Sequence, residues 1–255
     1  MNINIFSYFN SFSNLDIILL FFCAIANGMA KTGLGGLGLI VVPIMASLFG
    51  AKISTGIVLI QLILADFFGV WYYHRHASIK YLVKLIPSTI SGIVFGVFLG
   101  NIIDDNQFKF LLIIILSTGI IITILNLYYK PNIRQNQILS IGVGFLGGIS
   151  TIIGNAAGPI MTIYFLSMGF KKNNFIGTAA WFFLIVNIFK VPFHFFIWNT
   201  LNLDIILFSI MLLPLIFIGA SIGVKIVRII PNTIYNIILI VSVFIGIINL
   251  IISSV

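Results

Sequence analysis

Ten apolar segments follow one another along this chain, at about residues 15–32, 37–50, 54–74, 82–101, 107–129, 138–153, 158–169, 174–198, 203–224 and 232–253, joined by short polar connections. Most reach or approach the roughly 20 residues that an α-helix needs to cross a bilayer core of about 30 Å. No stretch is left over for a water-soluble domain, and only 7% of residues are charged, against about 25% in soluble domains. The chain therefore reads as an all-α integral membrane protein. Its net charge of +8 does not point to nucleic acid, because the 13 Lys and Arg lie mainly in the connections, where they orient helices in a membrane. Cys23 is the single cysteine, so neither an internal disulfide nor a cysteine metal cluster can form. No metal or cofactor is expected. The first residues lack the basic start and small-residue cleavage site of a secretory signal, so the first apolar run is taken as part of the fold.

In "AKTGLGGLGLIVVPIM", residues 30–45, Gly33, Gly35 and Gly38 have the spacing of a dinucleotide-binding loop. That loop needs a short strand before it and an acidic residue about 20 positions on. Here a long, unalternating apolar run precedes the glycines, and the next acid is Asp66. The glycines read instead as a break between two membrane segments, 15–32 and 37–50, separated only by "GLGG". A second pair, 138–153 and 158–169, is separated only by "GNAA". The second member of each pair is too short to span comfortably.

The chain also repeats itself. At an offset of 127, Trp71, Pro87, Gly92 and Gly96 align with Trp198, Pro214, Gly219 and Gly223. Upstream the match is looser, pairing the two breaks, and Thr55 with Thr178. Residues 1–130 and 131–255 are thus expected to form two transmembrane repeats of one membrane domain, each a broken or re-entrant helix pair followed by three spanning helices, with about 8 full spans or 10 segments. Eight plain crossings would divide the loop bases almost evenly. Counting each broken pair as two elements instead puts nine bases, in the connections at 75–84, 130–137, 170–173 and 225–231, on one side. Lys52 and Lys109 then share the other side with Asp16, Asp104, Asp105 and Asp204. This favours inverted repeats with both termini outside the cytoplasm. Trp71 and Trp198 read as interfacial belt residues, and Ser88, Gly92, Gly96 and Gly100 as a close-packing stripe.

Backbone that is not helical at membrane depth must be buried in protein or line a cavity. A short helix starts after each break, at Gly38 and at Pro159. The free N–H groups of such starts favour an anion. Gly33, Gly35 and Gly36, with Asn155, Ala156, Ala157 and Gly158, are expected to present those groups. Ionisable residues inside the membrane point to function, and four stand out: Lys31, Asp66, Lys190 and His194. Lys31 directly precedes the first break, where it either meets an anion or snorkels to an interface. Asn187, Lys190, His194 and Trp198 follow helical spacing along one face, and Asn187 is a candidate hydrogen-bond donor to substrate. Lys190 either supplies charge to the site or pairs with Asp66. Asp66 and His194 are candidates for proton coupling. His74 and His76 with Arg75 read as an interfacial basic cluster rather than a metal site.

These residues resemble the sulfite exporter TauE/SafE family of bacterial membrane permeases. The resemblance rests on "GLGGLGLIVVP" and "PSTISGIVFG" in the first half and "GNAAGPIMTIYFLSMG", "GTAA" and "PLIFIGASIG" in the second, and covers about residues 15–253. It departs where "GNAAGP" replaces a fuller glycine run, where Thr55 and Gly56 reverse a Gly-Thr pair, and at Lys31. It implies an inner-membrane permease for small anions, with sulfite or organosulfonates leading and export the favoured direction. A homo-oligomer is compatible with the sequence. A proton-coupled carrier of another small solute or a cation is the alternative. An intramembrane enzyme is remote, since three His, one Cys and one membrane-depth Asp, widely separated, offer no nucleophile and base together.

Overall fold

A computed structural model of the protein describes residues 12–32, 37–128, 137–167, 170, 172–226 and 229. These residues form helices α1 (Asn14–Thr32), α2 (Gly38–Phe49), α3 (Ala51–Tyr73), α4 (Ile79–Ile102), α5 (Asp105–Tyr128), α6 (Gln137–Gly154), α7 (Gly158–Ser167), α8 (Lys172–Phe196), α9 (Leu203–Met211) and α10 (Leu213–Ile226), with no strand among them. By length and composition α1, α3, α4 and α8 can each cross a bilayer, and α9 with α10 would make a fifth span bent by 50°. The sequence pattern makes one segment of 203–224. Pro214 divides it, since its ring cannot donate a backbone hydrogen bond and crowds the preceding turn. The expected segment at 232–253 lies outside the described residues.

The polarity of the molecule is that of a bilayer protein. Trp71, Phe98, Ile102 and Phe196 are each more than 70% exposed, while Asp66, Lys190 and His194 are fully buried. Charges outside the core collect at helix ends. Ser13 and Asp16 exchange hydrogen bonds at the start of α1, and Asp104 and Gln107 do so at the start of α5. Asn202 caps α9, with Asp204 in its first turn. Acids therefore sit where helices begin, which suits the positive end of the helix dipole.

Both broken pairs fold back on themselves. Phe12, just before α1, packs edge-on against Phe49 at the end of α2, with ring centroids 5.3 Å apart. In the second pair Ser140 of α6 reaches Tyr164 of α7 at 3.5 Å, and Gly147 lies against Met161.

The long helices pack through small residues in two matching pairs. A Cβ on Gly219 would collide with the Ile25 carbonyl, and one on Gly28 with the Ile216 carbonyl and Ala220 nitrogen, so α10 and α1 touch backbone to backbone. Likewise Gly92 abuts the Phe145 carbonyl, and Gly148 the Thr89 carbonyl and Ile93 nitrogen, joining α4 to α6. Each contact has its counterpart in the other pair, with α1 and α6 matching at an offset of 120 (148 − 28) and α4 and α10 at 127 (219 − 92). Between them α3 and α8 run antiparallel: Gly56 meets the Thr200 carbonyl, Asp66 bonds Asn187, and Gly177 meets the Tyr73 carbonyl. Here the halves match at 121 (177 − 56 and 187 − 66). Trp71 and Trp198 are not counterparts. Trp71 is 72% exposed, whereas Trp198 is buried, donating its indole N–H to the Val97 carbonyl and packing on Gly100.

Candidate functional site

A cavity of about 90 Å³, several times what one water needs, lies where the second break meets α1, α2 and α8. Lys31, Gly38, Asn155, Ala156, Gly158 and Asn187 line it, together with Thr151 and Phe183. The starts of α2 and α7 thus both reach the cavity, as do residues from both halves of the chain. Gly33, Gly35 and Gly36 lie outside the described residues.

The wall nearest α1 holds an ion pair. Lys31 Nζ is 2.9 Å from Asp66 Oδ1, with the two side chains 11% and 0% exposed. The close approach depends on Gly69, three residues after Asp66, where a Cβ would press on the Lys31 carbonyl. The ammonium also lies 4.2 Å from the centroid of the Phe183 ring, a cation–π contact. Asp66 accepts a second hydrogen bond, at 2.6 Å, from the amide nitrogen of Asn187. That amide nitrogen is thus turned to Asp66, while Asn187 Oδ1 has no hydrogen-bond partner among the described residues.

Lys190 does not pair with Asp66. Its Nζ donates to the Thr151 carbonyl (3.0 Å), Thr151 Oγ1 (3.1 Å) and Asn155 Oδ1 (2.6 Å). Three acceptors match the three N–H donors of an ammonium. They place the charge at the carbonyl end of α6, where a cation complements the helix dipole. Lys190 is not itself in the cavity wall; it stands behind Thr151 and Asn155, which are. Asn155 is the hinge of this arrangement. Its φ of 51° is left-handed, its Oδ1 takes Lys190, and its Nδ2 donates across to the Thr55 carbonyl at the start of α3 (3.1 Å).

The backbone around the second break is divided between two tasks. The N–H groups of Asn155 and Ala156 close the end of α6 on the Thr151 and Ser150 carbonyls. Ala157 and Gly158 then begin α7, whose first N–H groups have no acceptor within the helix. Ala157 is buried and does not reach the cavity wall. His194, one turn past Lys190, lies away from the cavity. Its Nδ1 is 2.7 Å from Thr200 Oγ1, its ring packs against Trp198, and its Nε2 has no partner among the described residues. No group of three or more metal-ligating side chains occurs among the described residues.

Sequence reasoning missed Thr151, Thr55 and Phe183. Phe183 was within reach of the spacing argument, since it continues the stripe of Asn187, Lys190 and His194 by one turn. Thr55 acts through its carbonyl and Thr151 through contacts that only the fold creates, so neither carries a signal in its side-chain type.

The family model described as Sulfite exporter TauE/SafE matches residues 20–250, nearly the whole chain. No curated protein and no solved structure matches.

Proposed function

We propose that this chain, which belongs to the sulfite exporter TauE/SafE family, is an inner-membrane secondary permease that exports small sulfur anions, sulfite or organosulfonates, through the cavity between its two halves. The observation that carries this reading is the pair of buried lysines around that cavity, of which, among the described residues, only Lys31 has a carboxylate partner. An anion in the cavity would meet the Lys31 ammonium, the first N–H groups of α7, and the field of Lys190 transmitted through Thr151 and Asn155. Outward flow of an anion needs no coupling, since a potential of 100 mV, negative inside, favours it by about 2.3 kcal/mol per charge. A cation carrier would have to use Asp66, which already faces a lysine.

Two inverted repeats, residues 1–130 and 131–255, are the layout we favour. It is supported by the antiparallel crossing of α3 and α8 and by the exchange of partners between α1–α10 and α4–α6. In such a layout the Asp66–Asn187 bond joins equivalent positions of the two halves, at the midplane site expected of such carriers. Lys52, Asp104, Asp105 and Asp204 fall at one end and Arg75, Lys80 and Lys172 at the other, which is in keeping with both termini outside the cytoplasm.

The test is efflux of sulfite, sulfoacetate, thiosulfate and sulfate from proteoliposomes under an imposed potential. Potential-driven efflux of a sulfur anion by the wild type, lost in Ala156→Val, supports the cavity as the route. If none of the four moves, or the variant transports as well as wild type, the route is wrong.

A further inference from the structure

The buried charges around the cavity do not cancel. Among the described residues Lys31 and Asp66 form a pair, and Lys190 is held by neutral oxygens only. His194 leaves one ring nitrogen without an acceptor, as suits the neutral ring. The segment joining α1 to α2, Gly33 to Gly36, contains no ionisable side chain. The other described Lys, Arg and Asp residues lie near helix ends, and none of them lines the cavity. With Lys190 held as an ammonium by its three acceptors, the described residues of the site carry a net charge of one positive unit, in surroundings where an uncompensated charge is expensive.

We infer that the site is built for a single negative charge, with Asp66 as the residue that sets it: Asp66 neutralises Lys31 and leaves Lys190 alone to be balanced by substrate. A monoanion, such as a sulfonate or hydrogen sulfite, makes the loaded site neutral. A dianion such as sulfate leaves it with one negative charge in excess and is repelled by the Asp66 carboxylate that contacts Lys31. The counterpart of Asp66 in the second half is Asn187, a side chain of the same shape without the charge. Asp66→Asn is thus the substitution the fold itself presents at the equivalent position. It keeps a hydrogen-bonding group between Lys31 and Asn187 while raising the site to two positive charges.

This inference rests on the anion-permease reading, and the experiment separates the two. Methanesulfonate and sulfate are both tetrahedral about sulfur and differ by one charge, which neither changes between pH 6 and 8. Uptake of each is measured in proteoliposomes containing the full chain, for wild type, Asp66→Asn, and the double variant Lys31→Gln with Asp66→Asn. The double variant returns the site to one positive charge. The expected result is preference for methanesulfonate in wild type, a shift of the ratio toward sulfate by about tenfold or more in Asp66→Asn, and return of the wild-type ratio in the double variant. Competition in wild type needs no variant to fold: excess sulfate should leave methanesulfonate uptake nearly unchanged. Sulfate competing as well as methanesulfonate, or a ratio that ignores Asp66→Asn, overturns the charge rule while the permease reading stands. If wild type moves neither of these anions nor sulfite, the permease reading fails and the charge rule with it.

Discussion

At the scale of single residues, the site contains two buried lysines held in different ways, and the difference is measurable. Lys31 has a carboxylate partner, so Lys31→Met leaves Asp66 as an uncompensated buried charge. Its expected cost is about 3–5 kcal/mol, read as a lowered melting temperature in detergent, with much of it recovered when Asp66→Asn is added. Asn155 gives a second test. Its left-handed φ of 51° suits glycine better than alanine by about 1 kcal/mol. Asn155→Gly should therefore melt above Asn155→Ala, yet both should lose transport, because both release Lys190 and the Thr55 carbonyl. A variant pair with equal melting temperatures would mean that the left-handed turn is not under strain. How much of this was legible in the sequence differs by residue. Lys190 and Asn187 stand out as polar positions at helical spacing in an apolar helix, and Lys31 and Asp66 as charges inside apolar runs. Which lysine faces Asp66 was not legible, since it depends on how closely α1 can approach α3, and that is decided by Gly69 against the Lys31 carbonyl.

At the scale of elements, the glycine stripes act as contact surfaces that fix which helices can be neighbours. Gly92 and Gly219 each face a carbonyl of the partner helix, so a valine at either position has nowhere to go without parting the helices. Gly92→Val and Gly219→Val are each expected to cost about 3 kcal/mol or more, at the upper end of overpacking. Gly142, also helical, has open space around its Cα, and Gly142→Ala should be neutral or stabilising by up to about 1 kcal/mol. Thermal melting of the three variants side by side checks both statements, and a Gly142→Ala loss as large as the others would remove the contact explanation. The stripe was readable because it repeats every four residues on one face. The bend between α9 and α10 was not, although it turns on a proline. Pro87 lies inside an unbroken α4, whereas Pro214, 127 positions on (214 − 87), sits in the first turn of α10 just after the bend. Sequence alone gives both the same weight.

At the scale of the whole molecule, the two repeats we propose would have a register that shifts along the chain. The offset is 120 between α1 and α6, 121 between α3 and α8, and 127 between α4 and α10. The last step arises because Pro214 lies 27 positions after Asn187 (214 − 187), whereas Pro87 lies 21 positions after Asp66 (87 − 66). A single ungapped offset of 127 therefore fits the contacts of α4 and α10 but not those of α3 and α8, and it pairs Trp71 with Trp198, which sit in different surroundings. The side of the membrane proposed for each end rests on charge rather than on the repeat. Ser78 donates to Thr178, which puts the start of α4 and the start of α8 together at an end carrying Arg75, Lys80 and Lys172. The Lys52 backbone N–H donates to Asp105 Oδ1 at the opposite end, beside Asp104. If basic connections stay in the cytoplasm, a cysteine introduced by Asp104→Cys should react with a membrane-impermeant maleimide on intact cells. One introduced by Lys80→Cys should react only after the cells are permeabilised. Native Cys23 is buried, and a Cys23→Ala background removes it from the readout. Labelling of Lys80→Cys on intact cells, with Asp104→Cys protected, would turn the molecule over in the membrane. The route through the cavity would survive that result, because its charges lie between the two ends, but the direction we assign to net transport would have to be argued again from the potential alone.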